Sequence, residues 1–219
     1  MPWLQSLESV DRPDVLFSSP DGTLVEIAPL LDRIVGVDLD TGADVRSLNA
    51  AIGWEVPESV TGARVVVGSE SGVVYRELNR FSVVEVATNV PSDRSPPAHR
   101  PAAVVGLHGF AEAGGAPDTS FSMQMIDDWG IEDVMGSALD LALREGSAVA
   151  VLFDLSVLDP AFDSGATVPG GLDMRRLLRA ARACGRRPEV VAAGFVKASS
   201  ELNVTHAILS FCAGLALRP

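Results

Sequence analysis

The chain has 219 residues and a mass of 23.0 kDa, near the upper end of what one core fills, so a single domain over residues 1–219 is expected. With 47% hydrophobic and 21% charged residues and a mean hydropathy of +0.25 it is too apolar for a disordered chain, and it has no uncharged run of about 18–20 residues to span a membrane. A net charge of −12 and a pI near 4.6 argue against nucleic acid and anionic lipid as partners, because an acidic surface repels both.

The first residues, Met1-Pro2-Trp3-Leu4-Gln5-Ser6-Leu7, have neither the basic start nor the apolar stretch of a secretory signal, so a cytoplasmic location is expected. The first 55 or so residues carry Pro13, Pro20 and Pro29 among mixed patterns and define no element clearly. From there the chain alternates between apolar β-branched runs and helical-period segments. Arg64–Val67, Ser82–Ala87, Ala102–Leu107, Ala148–Phe153 and Glu189–Ala193 read as strands buried on both faces, the pattern of a parallel sheet covered by helices. Residues 89–100, with Pro91, Pro96, Pro97 and several serines, read as a surface loop. Ile131, Val134, Met135, Ala138, Leu139 and Ala142 recur at helical spacing and predict one buried face. Leu172–Ala183 repeats the pattern with Leu177, Leu178 and Ala181 inward and Gly185 placed to stop the helix. Val204–Leu217 is apolar nearly all round and predicts a helix packed deep against the sheet. Cys184 and Cys212 lack metal or redox spacing and read as buried reduced thiols.

In open α/β sheets the working groups lie at the carboxyl ends of strands. Here the fourth predicted strand runs into Phe153-Asp154-Leu155-Ser156-Val157-Leu158-Asp159-Pro160-Ala161-Phe162, followed by Gly170-Gly171-Leu172. This resembles the ureohydrolase family of arginase, agmatinase and formiminoglutamase, whose pattern is Phe-Asp-x-Asp-x-x-Asp-Pro-x-Phe, a short loop and Gly-Gly-Leu. Asp127–Val134 is similar to the turn and helix that precede this strand in agmatinases. Residues from about 120 to 217 carry the likeness. Upstream, Val65–Ser71 stands where the family writes a strand and Gly-Gly-Asp-His-Ser, Val83–Val90 where it writes a strand and Asp-Ala-His-x-Asp, and Val104–Gly109 at the next strand. The resemblance implies a three-layer α/β/α fold with a mostly parallel sheet, here shortened at its N-terminus, and a homo-oligomer.

It also implies two manganese ions, held by four aspartates and two histidines, whose bridging hydroxide attacks a guanidinium carbon. This sequence departs from that set. Glu70 replaces a histidine, Val86, Ala87, Thr88, Asn89 and Val90 replace Asp-Ala-His-x-Asp, and Ser156 replaces the second aspartate of the late pair; of the six ligands only Asp154 is kept. A hard divalent cation needs several anionic or imidazole ligands to offset its dehydration. No metal or other cofactor is expected, and with it no metal-bound hydroxide and no arginase-type hydrolysis.

The candidate residues each admit two readings. Asp154 is a general base or an anchor for a cationic group, or a turn residue capping a loop amide. His108 is a proton shuttle or a hydrogen-bonded structural histidine. Glu70 is an acid or base or favours a helix N-terminus electrostatically. Lys197, the chain's single lysine, stands where the family places a glutamate; it supplies positive charge where the metals were, or is a solvated strand-end residue. Ser156, Ser69 and Asp159 complete the set as substrate-binding candidates, Asp159 also reading as turn chemistry. Two functions follow as expectations. One is a repurposed, metal-independent enzyme acting on a small molecule in specialised metabolism; the other is a non-catalytic relative that binds a ligand or a homologous subunit.

Overall fold

A computed structural model describes residues 16–18, 24–26, 31–37, 63–68, 71–89, 101–109, 119–196, 201–215 and 218. The strands are β1 (Leu16–Ser18), β2 (Leu24–Glu26), β3 (Leu31–Val37), β4 (Ala63–Gly68), β5 (Ser82–Val86), β6 (Ala103–Leu107), β7 (Ser120–Ser122), β8 (Val149–Asp154) and β9 (Val190–Val196). The helices are α1 (Ser71–Leu78), α2 (Met123–Trp129), α3 (Ile131–Ala142), α4 (Met174–Arg186) and α5 (Glu201–Leu215). β1 and β2 form an antiparallel pair. The other seven form one sheet in the order β3-β4-β9-β8-β5-β6-β7, with every neighbouring pair parallel.

Alternation along the central strands feeds two cores on opposite faces of the sheet. Val149, Val151 and Phe153 of β8, with Ala193 and Phe195 of β9, join the core lined by α2–α5. The rings of Phe153 and Phe195 stack there at 5.1 Å. Ala150, Leu152, Ala192 and Val196 point the other way, onto Val74, Tyr75 and Leu78 of α1. This is the expected three-layer arrangement: helices on both faces leave no polar side to the middle strands, so they read as unbroken apolar runs. Every residue predicted to face inward from α3 is buried.

Three local expectations are corrected. Gly185 does not stop α4, which runs through it to Arg186 and is capped by Arg187. The glycine serves packing: a Cβ on Gly185 would overlap the Phe211 carbonyl and lie 3.0 Å from the Gly214 Cα, so α4 and α5 touch backbone to backbone. Leu178 is half-buried, not fully inward. Among the described side chains of α5, Asn203, Ala207, Ile208, Phe211 and Leu215 are buried, while His206 is exposed. The proline-rich stretch expected as a loop lies, beyond Asn89, outside the described residues, as does the Cys212 side chain. Cys184 is buried and free, its thiol pushed up to about 12 by burial. Among the described residues no helix is long and apolar enough to cross a membrane.

Candidate functional site

The four strands whose ends carry the candidate positions, β4, β9, β8 and β5, are consecutive in the sheet. Because all run parallel, their carboxyl ends open on the same edge. Asp154, the last residue of β8, is 3% exposed and pairs in register with Val196 at the end of β9. Its Oδ1 accepts the Ser156 amide at 3.0 Å and so starts the short 3-10 turn Leu155–Val157. Thr88, just past β5 and also buried, donates from Oγ1 to the Ser156 carbonyl at 2.7 Å. Ser156 is thus held through both backbone polar groups by its neighbours on two strand ends.

A second buried carboxylate stands on the neighbouring strand. Glu85 of β5 is 3% exposed, and Glu85 pairs in register with Leu152 of β8. Leu152 and Asp154 are two residues apart on one strand, so Glu85 and Asp154 share the sheet face on which α1 packs. Both engage in further polar interactions. The signal was present as a lone charge inside Val83-Val84-Glu85-Val86.

The segment after β8 folds over this edge as a closed loop. Leu158 and Leu172 form an isolated parallel bridge, and the Asp159 amide donates to the Leu172 carbonyl at 2.9 Å. The Asp159 carboxylate accepts from Ala161 at 2.9 Å and Gly170 at 2.8 Å. These two backbone amides, Ala161 first, hold its carboxyl below the usual range. Gly170 sits at φ +86°, and a Cβ on Gly171 would overlap the Val157 carbonyl and lie 2.7 Å from the Leu158 carbonyl carbon. Both positions of Gly-Gly are therefore required for closure. Deeper in the loop Asp163 is 2% exposed; it caps Gly165 at 2.8 Å and accepts from Asn203 Nδ2 of α5 at 3.1 Å. Asn203 also donates to the Phe162 carbonyl at 3.0 Å. Neither Asp163 nor Asn203 belongs to a spacing that sequence reasoning recognises.

His108 lies one residue beyond β6. Its Nδ1 is 2.7 Å from the Gly106 carbonyl and its Nε2 3.3 Å from the Val168 carbonyl, so the ring ties the loop to the strand end, and a neutral imidazole donates to one of the two at a time. The structure brings Asp154, Ser156, Asp159 and His108 to this one loop-covered edge. Glu70, Ser69 and Lys197 lie outside the described residues; Lys197 directly follows Val196, the register partner of Asp154.

A model of the arginase family matches residues 99–217. The chain belongs to the arginase family. Among curated proteins no sequence matches. Among solved structures the chain is similar to formimidoylglutamase from Bacillus subtilis, at TM-score 0.58 and 16% identity over 72% of this chain and 62% of that one. It is similar also to the agmatine ureohydrolase of Thermoplasma volcanium, at 0.56 and 15% over 71% and 63%. Trypanosoma cruzi formiminoglutamase with Mn²⁺ gives 0.59 and 14% over 73% and 67%. At such identities the likeness shows the fold alone, and the chain spans 62% of the length of the first of these relatives.

The described residues do not fit the dimanganese set of this family. The ends of β4, β5 and β9 offer Gly68, Val86, Ala87, Thr88, Asn89 and Val196, none of them a carboxylate or imidazole. Among the described residues Asp154 is the one carboxylate at these four ends, and its Oδ1 already takes a backbone amide. Among the described residues no group of three or more histidines, cysteines, aspartates or glutamates is placed to hold a metal ion.

Proposed function

We propose that this member of the arginase family works without a dimanganese centre and uses the edge where β4, β9, β8 and β5 end to bind and convert a small molecule other than by guanidinium hydrolysis. The observation that supports it is the donor set at those four ends, where Val86 and Thr88 stand in place of ligands the resemblance implies and Asp154 is the one carboxylate among the described residues. In this reading Asp154 anchors a cationic group or acts as base, and Lys197 supplies the positive charge that the metals supply in the relatives. Glu70 and His108 serve as further acid or base groups, with Ser69, Ser156 and Asp159 contacting the ligand.

A second reading, a non-catalytic binder of a ligand or of a homologous subunit, is favoured by the bonds already made at this edge. Asp154, Asp159 and His108 each hold a loop amide or carbonyl, and polar groups spent on loop closure are less available to a substrate.

Metal analysis of protein purified with Mn²⁺ present, together with a urea assay on arginine and agmatine, tests the proposal. Substoichiometric metal and no urea are expected; two metal ions per chain or urea release would overturn it. The Lys197→Met variant separates the two readings: loss of turnover with an intact fold marks the enzyme, and a change in stability alone marks the binder.

A further inference from the structure

α4 carries six arginines: Arg175, Arg176, Arg179, Arg182, Arg186 and, at its C-cap, Arg187. Three are neutralised by carboxylates. Arg176 pairs with Asp127 at 2.7 Å, Arg179 with Glu132 at 2.8 Å, and Arg187 with Asp140 at 2.7 Å. Arg175, Arg182 and Arg186 are exposed and have no carboxylate within ion-pair distance among the described residues. With Arg179 they follow steps of four, three and four residues, so the four guanidinium groups share one face of the helix. That face lies opposite the side buried through Leu177, Ala180, Ala181 and Cys184. The stripe is roughly 16 Å long at 1.5 Å per residue.

The stability of the helix itself does not account for this stripe. Like charges three and four residues apart on a helix repel. Arg186 in the last turn suits the helix dipole, but Arg175 stands in the first turn, where the partial charge is positive and an acidic residue would stabilise. A carboxylate surface brought by a partner accounts at once for all three arginines that have no carboxylate partner among the described residues. Phosphate polymers and anionic membranes are repelled by the chain as a whole, which carries −12. One acidic partner is present whenever the protein is: residues 1–62 of another copy hold eleven acidic residues against three basic ones.

We propose that the exposed face of α4, through Arg175, Arg182 and Arg186, docks the acidic segment 1–62 of a second copy of this chain. A two-fold arrangement lets each copy offer both surfaces, so the contact is made twice.

Light scattering across a salt series tests this on the full chain. A mass above the 23.0 kDa of one chain is expected at about 20 mM salt, falling towards it at about 0.5 M as screening shortens to a few ångströms. The triple variant Arg175→Glu, Arg182→Glu, Arg186→Glu should be monomeric at low salt with an unchanged thermal midpoint. For the location of the partner, an Arg182→Lys variant gives a carbodiimide an amine on the stripe. Mixed with isotope-labelled copies, its cross-link should map to an acidic residue within 1–62 of the other copy. A monomer at every salt concentration, an oligomer that the triple variant leaves intact, or a cross-link within one chain or outside 1–62 would each overturn the proposal.

Discussion

Asp159 is half-buried, and its carboxyl is held low because two backbone amides, those of Ala161 and Gly170, point at it. A carboxyl whose pKa is lower folded than unfolded adds stability above its unfolded value, and that stability is lost as the pH falls through the folded one. The window therefore lies below about pH 4, the ordinary aspartate range. Asp159→Asn keeps one carbonyl acceptor and loses the charge, so it should melt lower than the parent at pH 7, and the gap should close as the pH is taken towards 3. Thermal melts of both proteins between pH 7 and 3 check this; a gap constant over that range would show that the charge does not matter. At the buried Thr88, Thr88→Val removes the hydroxyl that serves the Ser156 carbonyl. A loss of about 1–3 kcal/mol is expected from urea unfolding, the cost of leaving a buried acceptor unpaired.

At the scale of helices, two glycines predict opposite outcomes. Gly214 of α5 faces α4 so closely that a Cβ would overlap the Arg182 carbonyl and lie 2.8 Å from the Gly185 Cα, so Gly214→Ala must push the helices apart, at about 1–3 kcal/mol. Gly136 of α3 has open space where its Cβ would be, and Gly136→Ala should stabilise by about 0.5–1 kcal/mol through helix propensity. Urea midpoints of the two variants moving the same way would contradict the packing described for α4 and α5. The sequence could not distinguish these glycines, since a close approach between elements leaves no mark within either. The five inner strands and α3 were legible because burial on both faces, or on one helical face, imposes a period. β3, with Asp32 and Arg33 inside it, and the three-residue β7 have no such period. At the candidate edge Asp154 and His108 were legible from strand-end position. Glu85 left a mark only as a lone charge in an apolar strand, and Asp163 and Asn203 left none, because their importance comes from burial among partners distant in sequence.

For the molecule as a whole, the order of the sheet sets a gradient of protection. β8 and β9 are paired on both sides and covered on both faces, whereas β7 is a short edge strand. Backbone amides exchange slowest where opening requires the most cooperative unfolding. Hydrogen exchange should therefore leave peptides from 149–154 and 190–196 protected longest and release 120–122 early; equal rates would mean that the sheet opens as one body from the middle.

The central place of β9 also has a consequence in time. β9 lies between β4 and β8, and Arg64 of β4 finds its register partner at Ala192. At about 5–20 residues per second, β4 is synthesised roughly 6–26 s before that partner. Until then the growing chain has the flanks of its sheet but not the strand that joins them, and both β4 and β8 present open apolar edges of the kind that pair with other chains. The sheet is thus completed only when β9 joins β4 to β8, and a chain interrupted before Val190 would be left with two sticky edges.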